Sequence, residues 1–114
     1  MPFSDEQVEA MKVHCASVAS CSQGTIEYLL VAGLRLPNCN PDVVDALLCF
    51  GDRGEGYATR LYFAERVAPA RVITLNWNAN GVRILERNWH AFSWKVPLGL
   101  SPEATLLEHM KPLR

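Results

Sequence analysis

The chain has 114 residues, 49% of them hydrophobic and 20% charged, and its 11 basic and 12 acidic residues leave a net charge of −1. Length and composition suit one globular domain over residues 1–114, with a core that needs no metal or disulfide to hold it. They exclude a basic footprint for nucleic acid or an anionic membrane surface, and no segment reaches the ~20 apolar residues of a membrane span.

The first residues, Met1-Pro2-Phe3-Ser4-Asp5-Glu6, are acidic and lack the basic start and apolar run of a secretion signal. A cytoplasmic location is therefore expected. Cys15, Cys21, Cys39 and Cys49 form no C-x-x-C pair, so free thiols are expected in that reducing compartment. No cofactor is expected.

Ser4 and Gln7 form a capping box that starts a helix, with Asp5 and Glu6 in its first turn. Val8, Met11, Cys15 and Val18 recur at helical spacing, and the small polar run Ser20 to Gly24 is expected to end the helix. Thr25 to Leu36 predicts a strand buried on both faces, with Gly33 as a bulge. The Pro- and Asn-rich stretch Leu36 to Asp42 is a loop.

Val43 to Phe50 predicts a second strand, apolar apart from Asp45, and Gly51 to Gly56 a turn with three glycines. In the third strand, Tyr57 to Arg66, alternation places Tyr57, Thr59, Leu61 and Phe63 on one face and Ala58, Arg60, Tyr62 and Ala64 on the other. Arg71 to Trp77, with Val72, Ile73 and Leu75, predicts a fourth strand. Asn80-Gly81 predicts the hairpin turn, with Val82 to Arg87 returning. The aromatic stretch from Asn88 to Gly99 has no clear periodicity. Ser101-Pro102-Glu103 opens the last helix with an N-cap and a proline at its first position, and Pro112 stops it.

Cys49, beside the glycine-rich turn, is the candidate thiol nucleophile. A reactive thiolate needs a positive neighbour, and Arg53 and His90 are the candidates. The competing reading is a buried core cysteine. A zinc-type site from Cys49, His90 and His109, with Glu55 or Glu65, has suitable residue types but scattered spacing. Surface or capping roles compete for each histidine. A polar-aromatic group around the hairpin offers a partner-binding surface: Trp77, Asn78, Asn80, Arg83, Trp89 and His90. Core packing competes with that reading for Trp89 and is expected for Trp94.

Three stretches carry a family likeness. They are Gly56-Tyr57-Ala58-Thr59-Arg60-Leu61-Tyr62-Phe63, then Asn80-Gly81-Val82-Arg83-Ile84-Leu85, then Trp94 followed by Leu100-Ser101-Pro102-Glu103-Ala104-Thr105-Leu106-Leu107. With the order helix, meandering strands, helix, they resemble the ubiquitin-conjugating (E2, UBC/RWD-like) family. The nearest kind is the divergent bacterial group encoded beside E1-like and JAB-like genes. The resemblance implies an α+β fold: an N-terminal helix, an antiparallel meander of four to five strands and a C-terminal helix. It implies a ubiquitin-like protein or an E1-like enzyme as partner.

The chain departs from the family where thioester chemistry resides. The usual His-Pro-Asn is absent, the cysteine position falls on Ile84 or Leu85, and no cysteine follows Cys49. Three readings follow in order. The first is a non-catalytic E2-like module, the second a thiol enzyme with its nucleophile displaced to Cys49, and the third a metal-binding protein using Cys49, His90 and His109.

Overall fold

The computed structural model describes residues 3–71 and 73–113. Helix α1 (Asp5–Met11) precedes strands β1 (Ser17–Gln23), β2 (Ile26–Arg35), β3 (Cys39–Asn40), β4 (Val43–Phe50), β5 (Thr59–Phe63), β6 (Ala68–Pro69), β7 (Ala79–Ile84) and β8 (Arg87–Ala91). Helix α2 (Pro102–Met110) and a 3₁₀ turn (Lys111–Leu113) follow. The class is α+β, with the main sheet antiparallel in the order β1-β2-β4-β5-β8-β7 and β3 paired with β6 apart from it. No helix among the described residues is long and apolar enough to cross a membrane.

Both faces of β2, β4 and β5 are buried, because each face has its own core. Leu29, Val31, Ala46, Leu48, Leu61 and Phe63 pack under the helices with Met11, Leu106 and Met110. Tyr28, Leu47, Cys49 and Tyr62 face the opposite way, against Ile84, Trp89 and Ala91 of the β7–β8 hairpin. That hairpin curls across the sheet until its tip meets the far edge, where Leu85 N–H donates to Gln23 Oε1 at 3.0 Å.

Asp45 has a structural task within the apolar run of β4. The bulge expected at Gly33 is present between Val31 and Leu34, with Gly33 at φ 66. The unpaired Gly33 N–H donates to Asp45 Oδ1 at 2.9 Å. The capping box of α1 and the Ser101 cap of α2 both form as expected.

Four expectations are corrected. The first helix stops at Met11, and Ser17–Gln23 is strand β1, paired residue for residue with β2. Ser, Val and Cys are weak helix formers, and seven ladder pairs outweigh the helical stripe. Gly24, at φ 65, is then the hairpin turn rather than a helix stop. The third strand is shorter than expected, Thr59–Phe63.

The expected fourth strand, Arg71 to Trp77, does not form a ladder: residues 73–78 have no strand pairing, and Val72 lies outside the described residues. Asn80-Gly81 is not the hairpin turn. It forms a bulge within β7, with Gly81 at φ 66, and the turn is Leu85-Glu86, both at positive φ (51 and 65). Burial decides this register, because it brings Ile84 and Trp89 into the same core.

Candidate functional site

Cys49 lies on β4 opposite Tyr28 and Arg60 of the neighbouring strands, directly before the loop 51–56. It has no exposed surface, and its Sγ–H donates to the Gly51 carbonyl at 3.2 Å. Burial pushes its pKa up to about 12, against a smaller opposing pull from Arg53. At neutral pH it is a protonated thiol that packs as a small hydrophobe.

The polar groups around it form one connected network. Arg60 projects into the second core and is 3% exposed. Its guanidinium lies 4.1 Å from the centre of the Tyr57 ring, a cation–π stack, with Nη1 3.2 Å from Glu55 Oε1. Nη2 donates to Asn78 Oδ1. Asn78 Nδ2 in turn donates to Tyr57 Oη at 2.8 Å, and Tyr57 Oη lies 2.8 Å from Ser93 Oγ.

Arg53 reaches the same place from the loop, with Nε donating to Tyr28 Oη at 3.0 Å and Nη1 lying 4.0 Å from Glu55 Oε1. Tyr62 Oη donates to Glu55 as well. Burial, then the bond to Glu55, raises the Tyr62 pKa, so the phenol keeps its proton. Two guanidiniums thus share one carboxylate. Arg60 Nε is the one buried side-chain nitrogen or oxygen without a hydrogen-bond partner among the described residues. Chemically the cluster suits binding a negative group.

The six expected partner-binding residues separate. Asn78, Asn80 and Arg83 are exposed and His90 is half-buried. Asn80 Oδ1 accepts from Arg66 Nε at 2.8 Å, while its Nδ2 donates to the Trp77 carbonyl at 2.9 Å. Arg60 and Arg66 therefore fix the segment from Trp77 to Asn80. His90 Nδ1 accepts from Gly81 N–H at 3.2 Å.

Trp77 is half-buried, with its ring edge-on to Phe63 and Phe92 at 5.8 and 5.3 Å. Trp89 is 1% exposed, its indole N–H donates to the Ile84 carbonyl, and it is therefore a core residue rather than an accessible anchor. Trp94 reverses its expectation too: it is 38% exposed and donates to the Glu108 carbonyl on α2.

No three His, Cys, Asp or Glu side chains converge as metal ligands among the described residues. Cys49, His90 and His109 are not brought together. His109 is buried on the helix side, 2.9 Å from Thr59 Oγ1, whereas Cys49 belongs to the opposite core. Elsewhere a groove of about 470 Å³ runs between Leu36, Pro37 and the α2 side chains Leu107 and Met110, with Arg35 at its rim.

The glycine-rich loop is legible in the sequence, but its role as the cover of the Arg53–Glu55–Arg60 cluster is not. The available signal was Arg60 alternating with Tyr62 on a strand face that is buried on both sides. Comparison with protein-family models, curated proteins and solved structures finds no match.

Proposed function

We propose that this chain is a divergent E2-like module of a ubiquitin-like conjugation system. It binds a ubiquitin-like protein or an E1-like partner and forms no thioester. The observation that carries this reading is the preorganised polar surface beside the β7 edge. Arg60 and Arg66 hold Asn78 and Asn80 in place while Arg83 stands exposed next to them. Side chains already fixed by such bonds lose less freedom when a partner docks.

The non-covalent reading is supported by Cys49, the thiol that the sequence singles out, and by the positions that the resemblance assigns. Ile84, fully buried, and Leu85, in the turn, are aliphatic and carry no nucleophilic atom. Cys49 is sealed and protonated. The order of helix, antiparallel strands and Ser101-capped helix supports the E2-like assignment.

Calorimetric titration with a ubiquitin-like protein and with an E1-like enzyme from the same genome tests the proposal. Saturable binding to one of them, weakened about tenfold or more by Arg83→Glu, is expected, as for a surface charge that meets its complement. No binding to either protein contradicts it.

A further inference from the structure

Arg60, Arg53 and Glu55 carry an imbalance that the fold does not resolve. Two guanidiniums share a single contacting carboxylate, at a place where the Arg60 side chain is only 4% exposed. Lys95 adds to the positive charge, with Nζ 5.8 Å from the centre of the Tyr57 ring. Glu55 meets Arg60 through Oε1 at Nη1 alone, Asn78 takes Nη2, and the buried Nε–H has no acceptor. Buried donors are nearly always satisfied, so an unpartnered one on a charged group favours an added acceptor.

The carboxylate that fills the cluster is held on a loop with little packing. A Cβ built at Gly54 or Gly56 would touch nothing within 4 Å, and both glycines stand at positive φ. Asp52, the other acid of the loop, is committed to the loop itself. Its Oδ1 accepts from the N–H groups of Gly54, Glu55 and Gly56 at 2.8–3.0 Å. Glu55 is itself exposed, and its carboxylate is what ties this stretch of the loop to Arg60 and Tyr62.

We propose that Arg53 and Arg60 form an oxyanion site for a phosphate group, in which Glu55 is the internal occupant that the ligand displaces. With Glu55 withdrawn, the site presents two guanidiniums and the Tyr28 and Tyr62 hydroxyls. A phosphate dianion matches the two positive charges. Its three or more acceptor oxygens reach Arg60 Nε as well as the groups that Glu55 leaves, a geometry that guanidinium favours. No covalent step is involved. The site touches the Arg83 surface only through the Arg60 Nη2–Asn78 bond, and it does not depend on that partner reading.

The test uses the intact chain and follows the Arg60 Nε–H resonance by NMR during titration. Inorganic phosphate and O-phosphoserine are added in separate arms, which distinguish a free phosphate from one borne on a side chain, and acetate reports on a carboxylate. Phosphate or phosphoserine is expected to shift the Nε–H resonance saturably. Glu55→Gln is expected to tighten that binding about tenfold, the weight of one charge-assisted contact. Arg53→Gln, at a partly exposed residue, is expected to abolish it in a folded protein. Two results overturn the proposal: a folded Glu55→Gln chain that binds neither phosphate ligand more tightly than wild type, or tightened binding that survives Arg53→Gln. Acetate binding as tight as phosphate also overturns it.

Discussion

His109 gives the fold a built-in acid sensitivity. It is 2% exposed on α2, with Nε2 2.9 Å from Thr59 Oγ1. The Thr59 hydroxyl proton goes to the Val96 carbonyl at 2.8 Å, so Nε2–H is the donor to Thr59. Burial first, then repulsion from Arg60, lowers its pKa from 6.5 to about 4, with Glu108 opposing. In the unfolded chain it titrates near its ordinary value. Between those two pH values the unfolded chain holds the extra proton, so stability falls as pH falls through that window. At ~1.36 kcal/mol per pH unit the complete loss is about 3 kcal/mol, of which about 2 kcal/mol comes between pH 7 and 4.5. Urea unfolding of wild type and His109→Gln at those two pH values measures it. Glutamine keeps an N–H for Thr59 and does not titrate, while the surface carboxylates are common to both chains. Wild type is expected to lose about 2 kcal/mol more than the variant on acidification. Equal losses in the two chains refute the reasoning.

Gly33→Ala is expected to cost about 1–3 kcal/mol in thermal or urea unfolding, because the residue stands at φ 66 and its Cβ would lie 2.9 Å from Ala16 Cβ. Glu86→Gly is expected to stabilise the chain by up to about 1 kcal/mol, since the left-handed turn conformation at φ 65 then carries no side-chain penalty. Maleimide labelling with mass spectrometry at pH 7 is expected to modify the half-buried Cys21 and Cys39 before Cys49, which reacts only after unfolding.

What could be read from the chain was local. Val43–Phe50 was legible as a strand because both its faces are apolar, and α2 because Ser101 and Pro102 mark its start within three residues. Ser17–Gln23 was not, because its strand state depends on pairing with β2 and not on its own weak preferences. Asn80-Gly81 carries the stronger turn chemistry, yet the turn falls at Leu85-Glu86, where the register buries Ile84 and Trp89 together. The same limit applies to the site. Alternation put Arg60 beside Tyr62, but only the curl of the β7–β8 hairpin over that face makes it a second core. Cys49 became a buried thiol and Trp89 a core residue for that one reason. Asn78, Asn80 and Arg83 stayed at the surface.

The proposed partner binding is non-covalent and uses the surface around Asn78, Asn80 and Arg83. Backbone amide chemical-shift mapping of the isotope-labelled chain, titrated with a ubiquitin-like and with an E1-like protein, locates any such binding. Shifts are expected to concentrate at residues 77–83 and to reverse when the bound protein is competed away, with no change of mass. Shifts centred elsewhere, or a reductant-sensitive covalent adduct, would contradict it.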